Sequence, residues 1–206
     1  MSVGMIVLTA LAILIFFGVL QRVLDRMYLT DRQALMVAAA MFVGTLIPNL
    51  GLGPVALNIG GAVIPLAICA FLFVKADTGL ERGRTVLGSL LTAAAVFALS
   101  LLLPSEAEQL PLDPMWLCAL CAGVLAWLLG RSRRGAFICG VLGVMLADVA
   151  TAVVNWSRGI NQQLVLGGAG VADAVVVSGV LAVLLCELIG EIAERLVRGR
   201  RKEGTS

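Results

Sequence analysis

Residues 135–154 read GAFICGVLGVMLADVATAVV, with a single charged side chain, Asp148. A bilayer core roughly 30 Å thick is crossed by about 20 helical residues at about 1.5 Å rise per residue. The stretch therefore predicts a membrane-spanning helix. Six other runs resemble it, at 3–20, 34–50, 55–74, 86–103, 115–129 and 164–189. These runs are apolar on every face, whereas the strands of a membrane barrel alternate in polarity. The expected fold is an all-α polytopic membrane helix bundle of about seven transmembrane helices.

Composition agrees. Of the 206 residues 60% are hydrophobic and 14% charged, and the mean hydropathy is +1.03. Such a chain has no room for a separate soluble domain. The expected organisation is one transmembrane helical domain over 1–198 and a short basic cytoplasmic tail over 199–206, with Gly199 as the helix stop. The start lacks the pattern of a cleaved secretory signal, so the first run reads as a retained anchor. Runs two and three are separated only by the uncharged turn-forming segment 48–54. Whether both cross or re-enter stays open at this level.

Charge placement sets a direction. Fourteen of the 15 Lys and Arg fall on one side under this count of spans: Arg22, Arg26, Arg32, Lys75, Arg82, Arg84, Arg131, Arg133, Arg134, Arg195, Arg198, Arg200, Arg201 and Lys202. The other side holds Arg158 and the acidic loop with Glu106, Glu108 and Asp113. The expectation is an outside amino terminus, a cytoplasmic carboxy terminus and a lipid bilayer as the main partner. Nothing addresses nucleic acid.

No histidine is present, and Cys69, Cys118, Cys121, Cys139 and Cys186 all sit in apolar runs. No metal and no cofactor is expected, and the cysteines read as small side chains compatible with lipid. Phosphate-loop and Gly-x-Ser-x-Gly nucleophile motifs are also missing.

Two carboxylates lie deep in the last two runs, Asp148 and Asp173. A charge at that depth costs at least a few kcal/mol and normally faces protein or a water-filled cavity. Both stand roughly 10–13 Å from the same end of consecutive antiparallel helices, so the two could meet and share one proton. Thr151 and Asn155 continue the Asp148 stripe at helical spacing. At the same level Asn49 ends run two, Asn58, Gly60 and Gly61 open run three ahead of Pro65, and Gly168 and Gly170 open run seven. Broken helices at membrane depth commonly line sites, so these residues join the candidate binding set. Gly170, Ala174, Ser178, Ala182, Cys186 and Gly190 recur at every fourth position, and Gly140, Gly143, Ala147 and Ala150 give run six a narrow face. Small-residue faces of this kind allow close helix packing, within the chain or in a homo-oligomer. The two glycine stretches do not amount to an internal repeat.

The stretches Asn58-Ile-Gly-Gly-Ala-Val-Ile-Pro65 and Gly167-Gly-Ala-Gly-Val-Ala-Asp173 resemble those of an uncharacterised prokaryotic polytopic membrane family, domain-of-unknown-function family 1614. The resemblance implies a multi-pass protein of the prokaryotic inner membrane and supplies no activity. A second resemblance is to di-aspartate intramembrane proteases, whose second aspartate follows Gly-x-Gly directly. Here Val171 and Ala172 interrupt that motif. The expected function is transport, or ion- or proton-coupled binding of a small solute, with Asp148 and Asp173 as the titrating pair. The alternatives are a di-aspartate hydrolase, in which the same pair would be catalytic, and a non-catalytic membrane scaffold.

Overall fold

A computed structural model describes residues 29–76, 78–102 and 114–203, together with Gly18, Gln21, Val23 and Met27. The predicted first span apart from Gly18, Arg22, Arg26, the acidic loop with Glu106, Glu108 and Asp113, and residues 204–206 lie outside the described residues, as do the side chains of 191–203.

The chain is mostly helical. Helix α1 (Asp31–Leu46) starts on a capping box between Thr30 and Gln33. It stops because Pro48 disfavours helical backbone at the residue before it, and Ile47 is extended at ψ 137°. Helix α2 (Ile64–Val74), α3 (Gly79–Leu102), α4 (Pro114–Gly130), α5 (Arg133–Ser157) and α6 (Ala174–Glu203) follow. Among the described residues only α3 and α5 are long and apolar enough by themselves to cross a membrane. Helix α6 runs through Gly199 to Glu203, so the predicted stop at Gly199 is not used.

Three short strands depart from the all-α expectation. Strand β1 (Leu50–Leu52) pairs antiparallel with β2 (Val55–Leu57), and β2 pairs parallel with β3 (Leu164–Leu166). Gly53, at φ 68°, opens the two-residue turn between β1 and β2, a position that favours glycine. Runs three and seven are therefore broken, each a strand, a glycine turn and then a helix. After β2 a π-helical turn (Ile59–Val63) leads into α2, and Pro65 sits in the first turn, where its missing N–H breaks no helical bond. After β3, a 3-10 turn (Gly170–Ala172) leads into α6. The two glycine stretches, unrelated in their sequence surroundings, thus occupy equivalent places beside paired strands.

Helix α5 is the centre of the bundle, packed on α2, α3, α4 and α6. Gly140 meets α6 so closely that a Cβ there would lie 2.9 Å from the backbone of Ser178 and Gly179. Gly143 instead faces Thr92 on α3, so the narrow face of this helix serves two neighbours. Ser178 and Ala182 are fully buried against the chain's own helices, whereas Gly190 is open and Gly170 precedes the helix. The ridge is thus internal over its middle portion. Ser178→Leu should lower the detergent melting temperature, because overpacking against backbone costs about 1–3 kcal/mol. Gly190→Ala, in the same register, should not lower it. Equal effects would place Ser178 on a lipid-facing surface.

The ends of the bundle differ in chemistry. At one end Arg82 donates to the carbonyls of Val74 and Ala76, Arg84 to Leu129 and Arg134 to Lys75. Helices leave their last carbonyls without partners, and these guanidinium groups satisfy several at the ends of α2 and α4. Glu81 accepts from Ser132 and pairs with Arg134 at 3.6 Å. The opposite end holds the strands and the segment 158–173.

Candidate functional site: a polar cavity beside the central helix

Asp148 lies on the sixteenth position of α5, counting from Arg133. It lines a cavity of about 720 Å³ together with Thr151, Asn155 and Arg158 of the same helix. Helix α3 adds Val96, Ser100 and Leu101, α4 adds Met115 and Cys118, and Asp173 and Ala174 close the wall. A second cavity, of about 300 Å³, shares Asp148, Thr151 and Asn155 and is walled by Gln162, Gln163, Leu164 and Val165. The helical spacing of Asp148, Thr151 and Asn155 explains this. Positions separated by three and four residues share a face, and that face looks onto both spaces.

The two carboxylates stand in different chemical positions. Asp173 is the extended residue ahead of α6. Its Oδ1 accepts from the Val175 N–H at 3.0 Å and its Oδ2 from the Ala169 N–H at 3.1 Å. It therefore caps the helix and ties the glycine turn to it, which satisfies N–H groups that a helix start leaves open. Asp148 accepts no hydrogen bond from any described residue. Thr151 donates back to the Ala147 carbonyl, and Asn155 donates to Gln162 at 3.3 Å. Both aspartates face one cavity, but no hydrogen bond joins them.

The other candidate residues serve structure. Asn58 is buried, donates to Asn49 at 3.0 Å and accepts from the Gly61 N–H at 2.9 Å, which caps the π-helical turn. Gly60 fits against the α1 backbone at Met41 and Thr45. Gly61 crosses the other glycine turn at Gly167 and Gly170, and Gly167 and Gly170 hold φ of 69° and 62°. Thr45 accepts from the Val171 N–H and locks α1 onto the same crossing. Asn49, Asn58, Gly60, Gly61, Gly168 and Gly170 line neither cavity around Asp148. They form a glycine crossing that sets where α6, and hence Asp173, begins.

Sequence reasoning missed Arg158, Ser100 and the apolar wall. Arg158 carried a signal, as the lone basic residue on its side, but it was legible only as a marker of direction. Also missed was Thr92, fully buried on α3 with its hydroxyl unpartnered. Among the described residues no group of three or more Cys, Asp or Glu is placed to hold a metal ion, and the five cysteines are free thiols.

Fold and cavity together define a helical protein with two helices suited to crossing a membrane and a polar cavity between its helices. A family model described as a protein of unknown function (DUF1614) matches residues 24–185, and the chain belongs to that family. No curated protein and no solved structure matches it.

Proposed function

We propose that this protein is a multi-pass protein of the prokaryotic inner membrane that binds a small solute in the cavity beside α5 and couples its movement to a proton on Asp148. The observation that carries the reading is Asp148 itself. It sits within a helix long and apolar enough to span a bilayer, without a hydrogen-bond partner, and it lines two cavities. An ionisable group kept at such depth without a structural bond is the usual mark of a proton or substrate pathway. Broken helices beside the site fit the same class, since irregular backbone at membrane depth is tolerated where it is buried or lines a cavity. The protease resemblance gains nothing from this geometry, because both oxygens of Asp173 already accept backbone N–H groups.

The topology belongs to the same proposal: seven crossings, the amino terminus outside and the carboxy terminus cytoplasmic. The guanidinium-rich end then faces the cytoplasm, and the cavities open towards the outside. In intact cells, a cysteine placed at Glu106 or Gln109 of a variant lacking the native five should react with an impermeant reagent. One at Arg133 or Thr205 should not, and the reverse pattern would turn the cavity inward. For the activity, the protein is reconstituted in liposomes with a trapped pH dye and exposed to a low-molecular-mass ultrafiltrate of cell extract. Solute-dependent proton movement is expected. Its absence in both orientations of the protein would end the transport reading.

A further inference from the structure

The charges around the larger cavity are unequal in availability. Asp173 is occupied by two backbone N–H groups, which leaves Asp148 as the carboxylate with no hydrogen-bond donor. Among the described residues Arg158 is the only cation lining the cavity, and no carboxylate of theirs lies within ion-pairing distance of it. Had these groups served only to neutralise each other, they would be paired. They instead stand at opposite ends of one wall, neither paired with another described side chain.

Their spacing carries size information. The ten-residue step from Asp148 to Arg158 places their Cα atoms roughly 15 Å apart along the helix. Side chains on a helix lean towards its N-terminus, so the long Arg158 shortens the gap between charged ends to roughly 10 Å. A free α-amino acid is too short for that gap. An extended chain advances at most about 3.3–3.6 Å per residue, so roughly three residues fill it. Between the two charges α5 presents Thr151 and Asn155, and the facing helices add the apolar side chains of Val96, Leu101 and Met115 and the hydroxyl of Ser100. A cavity of about 720 Å³ has the volume of a drug-sized ligand site.

We propose that the solute is a short peptide of two or three residues, its ammonium group at Asp148 and its carboxylate on the Arg158 guanidinium. This rests on the cavity reading above and names its substrate class. A guanidinium binds a carboxylate with two parallel hydrogen bonds, and a carboxylate accepts from an ammonium, so each end is recognised by charge and geometry.

The test is thermal unfolding of the full-length protein in detergent with Ala-Val-Ala, its N-acetyl form, its C-terminal amide, and alanine alone. At a concentration about 100 times Kd, a bound peptide should raise Tm by roughly 5 °C or more. The free tripeptide should do so, and the blocked forms and alanine should not. Arg158→Gln, on an exposed residue, should no longer distinguish the peptide from its amide. Asp148→Asn should no longer distinguish it from the N-acetyl form. Stabilisation by alanine equal to that by the tripeptide, equal responses to blocked and free peptides, or no response at all would overturn the assignment. The two readings fail separately. Tripeptide binding without proton movement in liposomes would leave the ligand class standing and end the coupling. Proton movement with cell extract but no tripeptide response would do the reverse.

Discussion

Asp148→Asn should abolish pH-gradient-driven solute movement while leaving the protein as stable as the parent, or slightly more so. Asn is nearly isosteric with Asp but cannot carry the proton. Because no described residue donates a hydrogen bond to Asp148, the substitution breaks none. Asp173→Asn should show the opposite pattern. Asn keeps one oxygen for the Val175 N–H and still caps a helix well. Its amide, however, turns a donor towards the Ala169 N–H, where the carboxylate had accepted at 3.1 Å. Losing a hydrogen bond to a charged group costs about 1.5–3 kcal/mol. That loss should appear as a lower Tm in a detergent melting series, with flux per folded molecule largely kept. If both single variants lose flux equally and neither loses stability, the aspartates act as one titrating unit and the capping assignment of Asp173 is wrong. If Asp148→Asn keeps full pH-driven flux, the proposed coupling residue is wrong.

The largest effect on folding is expected at the glycine crossing. In Gly61→Ala the new methyl would fall against the carbonyl oxygens of Gly167 and Gly170, the latter at 2.6 Å, and against the Gly167 Cα at 2.9 Å. All three are backbone atoms, so no rotamer change can relieve the contact. Gly167 and Gly170 themselves hold left-handed backbone that side chains rarely adopt. Neither turn can yield without moving β2, β3 and the start of α6. The cost should reach or exceed the upper end of overpacking penalties, about 3 kcal/mol. A protein with typical marginal stability would lose most of its folded yield. The measurement is recovery of monodisperse protein after extraction, compared with Gly51→Ala, where a Cβ meets nothing within 4 Å. Equal recovery of the two variants would mean the two turns are not in contact.

Both predictions depend on side-chain surroundings that hydropathy does not report. The length and uniform polarity of residues 135–154 and 86–103 were enough to read α5 and α3, because burial of an apolar run against lipid or protein needs no knowledge of the partner. The same property misled at 55–57 and 164–166. Apolar strands and apolar helices have the same composition, and only the pairing of β2 with β3 separates them. Gly60, Gly61, Gly168 and Gly170 signalled an irregularity in the right places. Whether glycine is there for a ligand or for another segment is decided by what lies opposite, and for Gly61 and Gly170 the opposite partner is more than a hundred residues away in the chain.

The aspartates divide in the same way. That Asp148 and Asp173 stand within apolar runs follows from the sequence, since charge and apolar surroundings are both local. That Asp173 caps α6 while Asp148 stays unbonded was settled only by where β3 ends and the helix begins. Arg82, Arg84 and Arg134 are legible one by one as markers of a charged side, but their bonds to the last carbonyls of α2 and α4 exist only once those helices are neighbours. What the sequence by itself determined is the strongly apolar helical character, the place of the two membrane-length helices α3 and α5 and the short list of polar residues set within apolar runs, because each depends on composition and spacing along one segment. The tertiary structure alone decided which of those residues face a cavity and which are bonded. A hydrogen bond or a shared wall is a relation between segments, and its free energy arises only where the fold brings them within contact.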